Sequence, residues 1–117
     1  MQHKVSHPDA TSTIVHLTGE LDVSQTLQVR DVVLAEIGPG RRLVVDLSGV
    51  PFIDSSGLGM LVAAHRASIK ESGWFAVCGA DATVTRVFEL TRTNRVLHIF
   101  ADAAAAVAAP TLEVHPL

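Results

Sequence analysis

Runs of apolar residues mark the strands of this chain. Apolar residues that alternate with polar ones, or that follow one another without a break, are typical of β-structure. The segment TSTIVHL alternates roughly, whereas RLVVDL is nearly continuous and is typical of a buried central strand. The pattern predicts five strands: Lys4–Ser6, Thr11–Leu17, Arg42–Leu47, Trp74–Cys78 and Val96–Phe100.

Apolar residues three or four positions apart predict helices between these strands. In the first helix Val29, Val33 and Ile37 recur at i, i+4 and i+8, with Leu27 and Leu34 alongside. The first predicted helix is Val23–Ile37, capped by Asp22 or Ser24 and ended by Gly38-Pro39-Gly40. The second runs from about Ser56 to Glu71, and the third covers Thr83–Thr91. The last is an alanine-rich helix from the cap at Asp102 to about Ala109. The second helix is apolar nearly all round, which predicts that it lies deep against a sheet.

The order of these elements, β-β-α-β-α-β-α-β-α, predicts the fold class. Strands that alternate with helices pair in parallel through right-handed crossovers, so we expect an α/β domain. The 117 residues suit one domain, and 48% hydrophobic with 18% charged residues is the composition of a folded chain. We therefore expect a single domain over residues 1–117, with a frayed tail after Pro110.

Small and polar residues interrupt the apolar pattern between the third strand and the second helix, where the chain reads Asp54-Ser55-Ser56-Gly57. The glycine after Ser56 suggests Ser56 as the N-cap, with Ser55 as its rival. Capping does not explain Gly57 and Gly59, because glycine in a helix costs about 1 kcal/mol relative to alanine. Glycines let another molecule approach the backbone, and a helix N-terminus favours an anion. The segment therefore admits two interpretations, a plain helix start or a serine phosphorylation switch.

Two motifs surround this segment. The first is VVDLSGV-x-x-x-DSSGLG-x-L, Val44–Leu61, and the second, upstream of it, is LTGELDV, Leu17–Val23. Together they resemble the signature of STAS domains, specifically the bacterial anti-sigma factor antagonists, and the likeness runs from about Val5 to Ala109. The resemblance implies a four- to five-stranded mixed sheet with about four helices, mainly on one face.

The resemblance also implies partner switching. The unphosphorylated protein would bind an anti-sigma factor that is itself a serine kinase, and a sigma factor would thereby be released for transcription. Phosphorylation of Ser56, the second serine of the DSSG motif, would end that binding, with Ser55 as the rival acceptor. A PP2C-type phosphatase would reset the protein.

Residues near the acceptor take roles from the same resemblance. Asp22 and Asp54 would flank the acceptor, where carboxylates help to position a hydroxyl and repel an added phosphate. The docking surface would include three residues at the helix start: Gly57, Leu58 and Gly59. The chain departs from the family at residues 90–96, where a Thr-Gly-Leu-like turn is usual but no glycine is present, and Asn94 is expected to take the left-handed position.

Net charge, cysteine content and hydropathy bear on nucleic-acid binding, on disulfides and on location in the cell. A net charge of −3 provides no general basic surface, so direct binding of nucleic acid is not expected. The single cysteine, Cys78, excludes an internal disulfide and is expected to be a small buried residue. The N-terminus has no apolar signal core, and no run reaches the roughly 18 apolar residues that cross a bilayer. We therefore expect a cytoplasmic protein without a membrane partner, and a monomer by default.

Sequence motifs for catalysis or metal binding are missing. There is no Gly-x-Ser-x-Gly elbow, no phosphate-binding loop and no dinucleotide fingerprint, and no histidine is identified as the base of a triad. His3 and His7 are four residues apart, but they fall in a predicted strand rather than a metal-binding helix. No enzyme activity, cofactor or metal is expected. The alternative function is a non-phosphorylated STAS scaffold or interaction module of a transporter or signalling assembly.

Overall fold

The secondary structure follows the predicted order in a computed structural model that describes residues 1–110. The strands are β1 (Gln2–Ser6), β2 (Ser12–Thr18), β3 (Arg42–Gly49), β4 (Trp74–Cys78) and β5 (His98–Phe100). The helices are α1 (Val23–Leu34), α2 (Ser55–Lys70), α3 (Ala82–Thr91) and α4 (Ala103–Ala108), with a 3₁₀ turn at Thr93–Arg95. The tail predicted to fray, residues 111–117, lies outside the described residues.

The strands form one mixed sheet in the order β1-β2-β3-β4-β5. The β1 strand is antiparallel to β2, and all other neighbours are parallel. The predicted α/β class with a mixed sheet is therefore confirmed. Because β2 and β3 are parallel neighbours, their carboxyl ends meet at one edge of the sheet, where α1 and α2 begin. This topology brings the Gly-Glu-Leu-Asp and Asp-Ser-Ser-Gly segments together.

Helices cover the two faces of the sheet unequally. One face packs against α1, α2 and α3 through a large apolar core, in which Val45 and Val77 of the sheet join Val33, Leu61 and Phe88 of the helices. The other face carries α4 over a smaller cluster. The expectation of four helices mainly on one face is thus confirmed. The α2 side therefore holds most of the core, and it is the rigid support for the start of α2.

Arg42 fastens α4 to the sheet. Its Nη1 donates to the carbonyl oxygens of Ala106 and Val107 at 2.7 and 2.6 Å. The same guanidinium lies 4.6 Å from the centre of the Trp74 ring. At the end of this short helix the Ala106 carbonyl also accepts from the Ala109 N–H at 3.4 Å, and Arg42 adds a second donor there as well as one for Val107.

Helix α1 differs from its prediction in length and in one buried position. It ends at Leu34 rather than at Ile37. Val29 and Val33 are buried, but Leu27 is 71% exposed instead of lying alongside them. Two residues correspond to about 200° of rotation around a helix, so Leu27 and Val29 face opposite ways. Leu27 is therefore available at the surface.

Helix α2 is not apolar and buried all round, contrary to expectation. Four of its residues, spaced at i, i+4, i+8 and i+11, form an exposed stripe: Ser55, Gly59, Ala63 and Arg66. The small side chains in this stripe made the sequence look apolar on every side. One face of α2 is consequently open beside the predicted acceptor.

The turn after α3 also differs from its prediction. Arg92, with φ of 62°, takes the left-handed conformation, whereas Asn94 lies within the 3₁₀ turn. Arginine is uncommon in this conformation, because its Cβ lies too close to the neighbouring backbone, whereas glycine has no Cβ.

Candidate functional site at the start of helix α2

The loops after β2 and β3 are joined by backbone hydrogen bonds. The Leu21 N–H donates to the Phe52 carbonyl at 2.9 Å, and the Asp54 N–H donates to the Leu21 carbonyl at 3.2 Å. Leu21 and Ile53 form an isolated parallel bridge. These contacts hold the N-termini of α1 and α2 side by side.

Asp54 is the N-cap of α2. Its Oδ1 accepts from the N–H groups of Ser56 and Gly57 at 2.9 and 3.1 Å, and from the Ser56 hydroxyl at 2.6 Å. Its Oδ2 accepts from the Val23 N–H at 3.1 Å, which ties the first residue of α1 to the same carboxylate. The prediction that Ser56 caps α2 was wrong, because the aspartate two residues earlier already satisfies the free N–H groups of the first turn.

The hydrogen bonds to Asp54 also fix its charge. The Ser56 hydroxyl, followed by the Gly57 N–H, holds the pKa of the Asp54 carboxyl below its ordinary value of 3.8. A carboxylate that accepts several hydrogen bonds is stabilised in its ionised form. The site therefore carries a negative charge at neutral pH, directly beside the two serines.

Asp22 acts on the site through its backbone rather than through its carboxylate. The side chain caps α1, accepting from the N–H and the hydroxyl of Ser24 at 3.0 and 2.6 Å. The Asp22 carbonyl accepts from the Thr26 hydroxyl at 2.7 Å, and Thr26 Oγ1 lies 3.2 Å from Ser56 Oγ. Thr26 therefore joins the site although the sequence did not single it out; its position four residues after a helix cap was the available signal.

The two candidate serines differ in environment. Ser56 is half-buried, and its hydroxyl lies between Asp54 and Thr26. Ser55 is exposed and begins α2. Both lie at the positive end of a helix, but only Ser55 presents its side chain at the open surface.

The three residues expected to form the docking surface also differ in their exposure. Gly57 is buried, and a Cβ added there would lie 2.6 Å from the Leu21 carbonyl oxygen. Its role is therefore to let the two loops pack against each other. Gly59 is exposed, with no atom within 4 Å of an added Cβ, and Leu58 is 8% exposed at the floor of a groove.

The groove lies between α2 and the 3₁₀ turn, and it has a volume of about 530 Å³. Its lining is mostly apolar: Ser55, Leu58, Gly59, Val62, Ala63, Arg66 and Thr93. Apolar side chains also lie exposed near the site on its other side, with Val23 at 74% and Phe52 at 45%. The start of α2 thus sits within a surface that has apolar parts on both sides.

A second polar cluster connects the first three strands. The Ser6 hydroxyl lies 3.1 Å from His16 Nε2, and His16 Nδ1 lies 2.9 Å from Asp46 Oδ2. Burial raises the pKa of Asp46, but the Ser48 N–H and the His16 ring outweigh it, so the carboxyl titrates below its ordinary value of 3.8. The sequence had identified no histidine in such a position.

Two further predictions concern Cys78 and metal binding. Cys78 is fully buried, as expected, and burial, with a smaller contribution from Asp46, raises the pKa of its thiol to about 12. Among residues 1–110, no three or more His, Cys, Asp or Glu side chains are grouped so as to hold a metal ion. In the same part of the chain, no helix combines the length and apolar character needed to span a membrane.

Comparison with known proteins decides the family. A model of the STAS domain matches residues 3–106. The chain belongs to the STAS domain family. Among the curated STAS relatives is an anti-sigma F factor antagonist of Paenibacillus polymyxa, 30% identical over 90 residues, which cover 74% of this chain and 76% of the relative.

Solved STAS structures agree with this assignment. An anti-sigma factor antagonist from Mycobacterium paratuberculosis superposes with a TM-score of 0.78 and 26% identity, covering 91% of this chain and 90% of that one. The phosphorylated form of the Bacillus cell fate determinant SpoIIAA superposes with a TM-score of 0.69 and 20% identity over 91% and 96% of the two chains, a likeness in fold. The resemblance to anti-sigma factor antagonists read from the two motifs is confirmed.

Proposed function

We propose that this STAS domain is an anti-sigma factor antagonist that works by partner switching through a serine at the start of α2. The observation that carries the proposal is the exposed Ser55 at the open end of a groove, beside the ionised carboxylate of Asp54. The anti-sigma factor antagonists among its relatives, and the phosphorylated form of the structural neighbour SpoIIAA, support the same function.

The environments of the two serines support Ser55 as the phosphoacceptor, in place of the Ser56 that the motif resemblance suggested. A kinase must bring the γ-phosphate of ATP in line with the attacking oxygen, so the hydroxyl must reach the surface. Ser55 is exposed, whereas the Ser56 hydroxyl is held at 2.6 Å by Asp54. A phosphate on Ser56 would stand against that carboxylate and break the cap of α2. Ser56 is then a residue that orients Asp54.

The phosphate would weaken partner binding by charge and bulk. It adds a charge of about −1.5 to −2 at neutral pH, next to the negative charge of Asp54. The positive end of α2 tolerates the group in the free protein, but a partner packed against Ser55 has no room for it. A loss of about 1.4 kcal/mol lowers affinity tenfold, so a few unfavourable contacts are enough to release the partner.

The partners follow from this chemistry. The protein supplies only a hydroxyl, so the anti-sigma factor it binds would act as the serine kinase and supply ATP and Mg²⁺. A PP2C-type phosphatase would restore the binding form. We propose that the protein works as a monomer in the cytoplasm, without binding nucleic acid or a membrane directly.

The protein is proposed to be a binding protein rather than an enzyme. The Ser6–His16–Asp46 cluster has the residue types of a hydrolytic triad, but its side chains tie β1, β2 and β3 together. The groove, by contrast, is lined by Ser55 and Thr93 and includes none of those three residues. The expected result is that p-nitrophenyl acetate is hydrolysed no faster than by free imidazole and nucleotides no faster than without protein, with both rates unchanged in Ser6→Ala.

Intact-mass analysis tests the switch. The protein is incubated with ATP, Mg²⁺ and the anti-sigma factor kinase encoded in the same genome, and the modified residue is mapped. Ser55→Ala is expected to remain unmodified and to keep binding the kinase, whereas Ser56→Ala and the control Ser24→Ala, at the start of α1, are expected to be phosphorylated. Phosphorylation of Ser55→Ala but not of Ser56→Ala would show that Ser56 is the acceptor.

Two other outcomes would overturn the proposed function itself. One is the absence of any phosphate on the wild-type protein together with no binding of the kinase. The other is a native pull-down that recovers only subunits of a membrane transporter, which would favour the alternative of a STAS module in a transporter assembly.

A further inference from the structure

Positive charge is concentrated around the groove, although the chain as a whole is negative. Arg66 lines the groove directly. Arg92 and Arg95 are both exposed and lie within two residues of Thr93, which forms the opposite wall. Within residues 1–110, none of these three arginines forms an ion pair. Three guanidinium groups are therefore available to a binding partner, in a protein whose net charge is −3.

The shape of the groove suits a helix. The α2 wall presents Gly59, Val62 and Ala63 in its middle, and the side chain of Leu58 forms the floor. Small residues let the backbone of a second helix approach closely, and burial of that helix's apolar side chains against the apolar floor is favourable. The arginines stand at the far end from Ser55 and on the opposite wall, where the polar edge of such a helix would lie.

We propose that this groove binds an amphipathic helix of the partner kinase, with the helix's apolar face on α2 and its acidic side chains paired with Arg66, Arg92 and Arg95. The identity of the partner rests on the proposed function. Arginine suits this role because its planar fork binds a carboxylate through two parallel hydrogen bonds. Arg92 has a left-handed backbone conformation, which glycine adopts more easily than arginine. The presence of an arginine at this position therefore supports a role for its side chain in binding.

The same groove then explains how a phosphate would act. Ser55 lines the groove, so a phosphate on Ser55 would place its negative charge beside an acidic helix. The acidic occupant would gain repulsion at that end of the groove, which favours release.

A peptide titration followed by NMR tests the occupant without needing the kinase. The probes are two 18-residue helical peptides that share the same leucine stripe and carry either glutamate or lysine on the flanking positions. The glutamate peptide is expected to shift the backbone amide signals of Gly59, Ala63 and Thr93 in a saturable way, and less so as salt is added. Equal shifts with both peptides, no shifts with the glutamate peptide, or shifts confined to other surfaces would overturn the proposal.

Charge reversal tests the same groove with the kinase. Arg66→Glu and Arg92→Glu are each expected to weaken kinase binding on the order of tenfold, as the reversal of an interfacial charge does. Arg30→Glu, an exposed reversal on α1, is the matched control and is expected to bind as the wild type does. Ala63→Leu, which fills the groove without changing charge, is expected to weaken binding as well. Circular dichroism confirms that each variant is folded.

The outcomes separate this inference from the proposed function. If the kinase binds and phosphorylates the wild-type protein but binds the reversed variants equally well, the proposed function stands and the groove inference is wrong. If the glutamate peptide binds and the kinase does not, both the proposed function and the choice of occupant are wrong.

Discussion

The carboxylate of Asp54 accepts a hydrogen bond of 2.6 Å from the hydroxyl of Ser56, and the same oxygen accepts the N–H groups that begin α2. One side chain thus caps the helix, orients the inner serine and, through Val23, holds α1. The loops after β2 and β3 meet at the Asp54 carboxylate, and the local structure depends on its negative charge.

This dependence predicts how stability changes with pH. The Ser56 hydroxyl and the Gly57 N–H hold the pKa of Asp54 below 3.8, so the unfolded chain binds a proton on this group before the folded protein does. Its contribution to stability is therefore complete above about pH 4 and is lost as the pH falls through the folded-state pKa. Urea midpoints measured between neutral pH and about pH 2.5 report the loss.

Asp54→Asn isolates that contribution from other carboxyl groups. Asn still accepts hydrogen bonds at the cap but has no proton to gain, so the variant is expected to be less stable than the wild type at neutral pH. The difference between the two proteins should shrink as the pH falls below 3.8. A difference that stays constant with pH would contradict the ionised cap.

Gly57 and Gly59 are predicted to respond in opposite ways to a methyl group. A Cβ on Gly57 would lie 2.6 Å from the Leu21 carbonyl oxygen and 2.8 Å from Leu21 Cγ, so Gly57→Ala is expected to cost about 1–3 kcal/mol of unfolding free energy. Gly59→Ala meets no atom within 4 Å and replaces a helical glycine, so it is expected to add about 0.5–1 kcal/mol.

Urea unfolding of both variants checks the pair, with each serving as the control for the other. Equal effects of the two substitutions would show that Gly57 is not needed for the contact between the loops. Because Gly59 lines the groove, Gly59→Ala is also expected to weaken partner binding while it stabilises the fold. A tighter complex would contradict the placement of the partner along α2.

The sequence predicted the order of the elements because each strand and helix carries its own periodic pattern. Val29 and Val33 are spaced for a helix, and both are buried as expected. The meeting of Asp22 with the Asp54 loop was available only from the motif resemblance, since it depends on β2 and β3 being parallel neighbours. Local patterns do not reveal which strands pair.

Other features could not be predicted from local patterns. The exposed stripe of α2 contains glycine and alanine, residue types that are often buried, so the sequence suggested a buried face and only the packing shows that it is exposed. The cap at Asp54 rather than Ser56 depends on a backbone that enters the helix two residues earlier than the glycine suggested. Thr26 joined the site because α1 lies beside α2, and its position four residues after the cap of α1 does not by itself reveal that tertiary contact.

Cys78 is predicted to be unreactive in the folded protein. A pKa of about 12 in place of 9.0 lowers the thiolate population at a given pH by about a thousandfold, and burial blocks the approach of a reagent. Incubation with Ellman's reagent at pH 8 is expected to label no thiol over the time in which free cysteine reacts fully. In denaturing urea one thiol per chain should react, which is the control. Rapid labelling of the folded protein would mean that the sheet opens on the α4 side.

Arg42 is predicted to hold α4 in place, and the only tryptophan reports it. Arg42→Ala removes two hydrogen bonds to the end of α4 and the cation above Trp74, with an expected cost of about 1.5–3 kcal/mol. Arg42→Lys keeps the charge and a donor for the carbonyls but lacks the planar group that lies over Trp74, so it should restore only part of the stability. Urea unfolding monitored by Trp74 fluorescence measures both variants, with Arg30→Ala as an exposed control. A change in Trp74 emission of the folded protein is expected for Arg42→Ala and not for Arg30→Ala, because the ring then loses the cation over it. Full recovery by lysine would mean that the charge, rather than the planar guanidinium over Trp74, secures the helix.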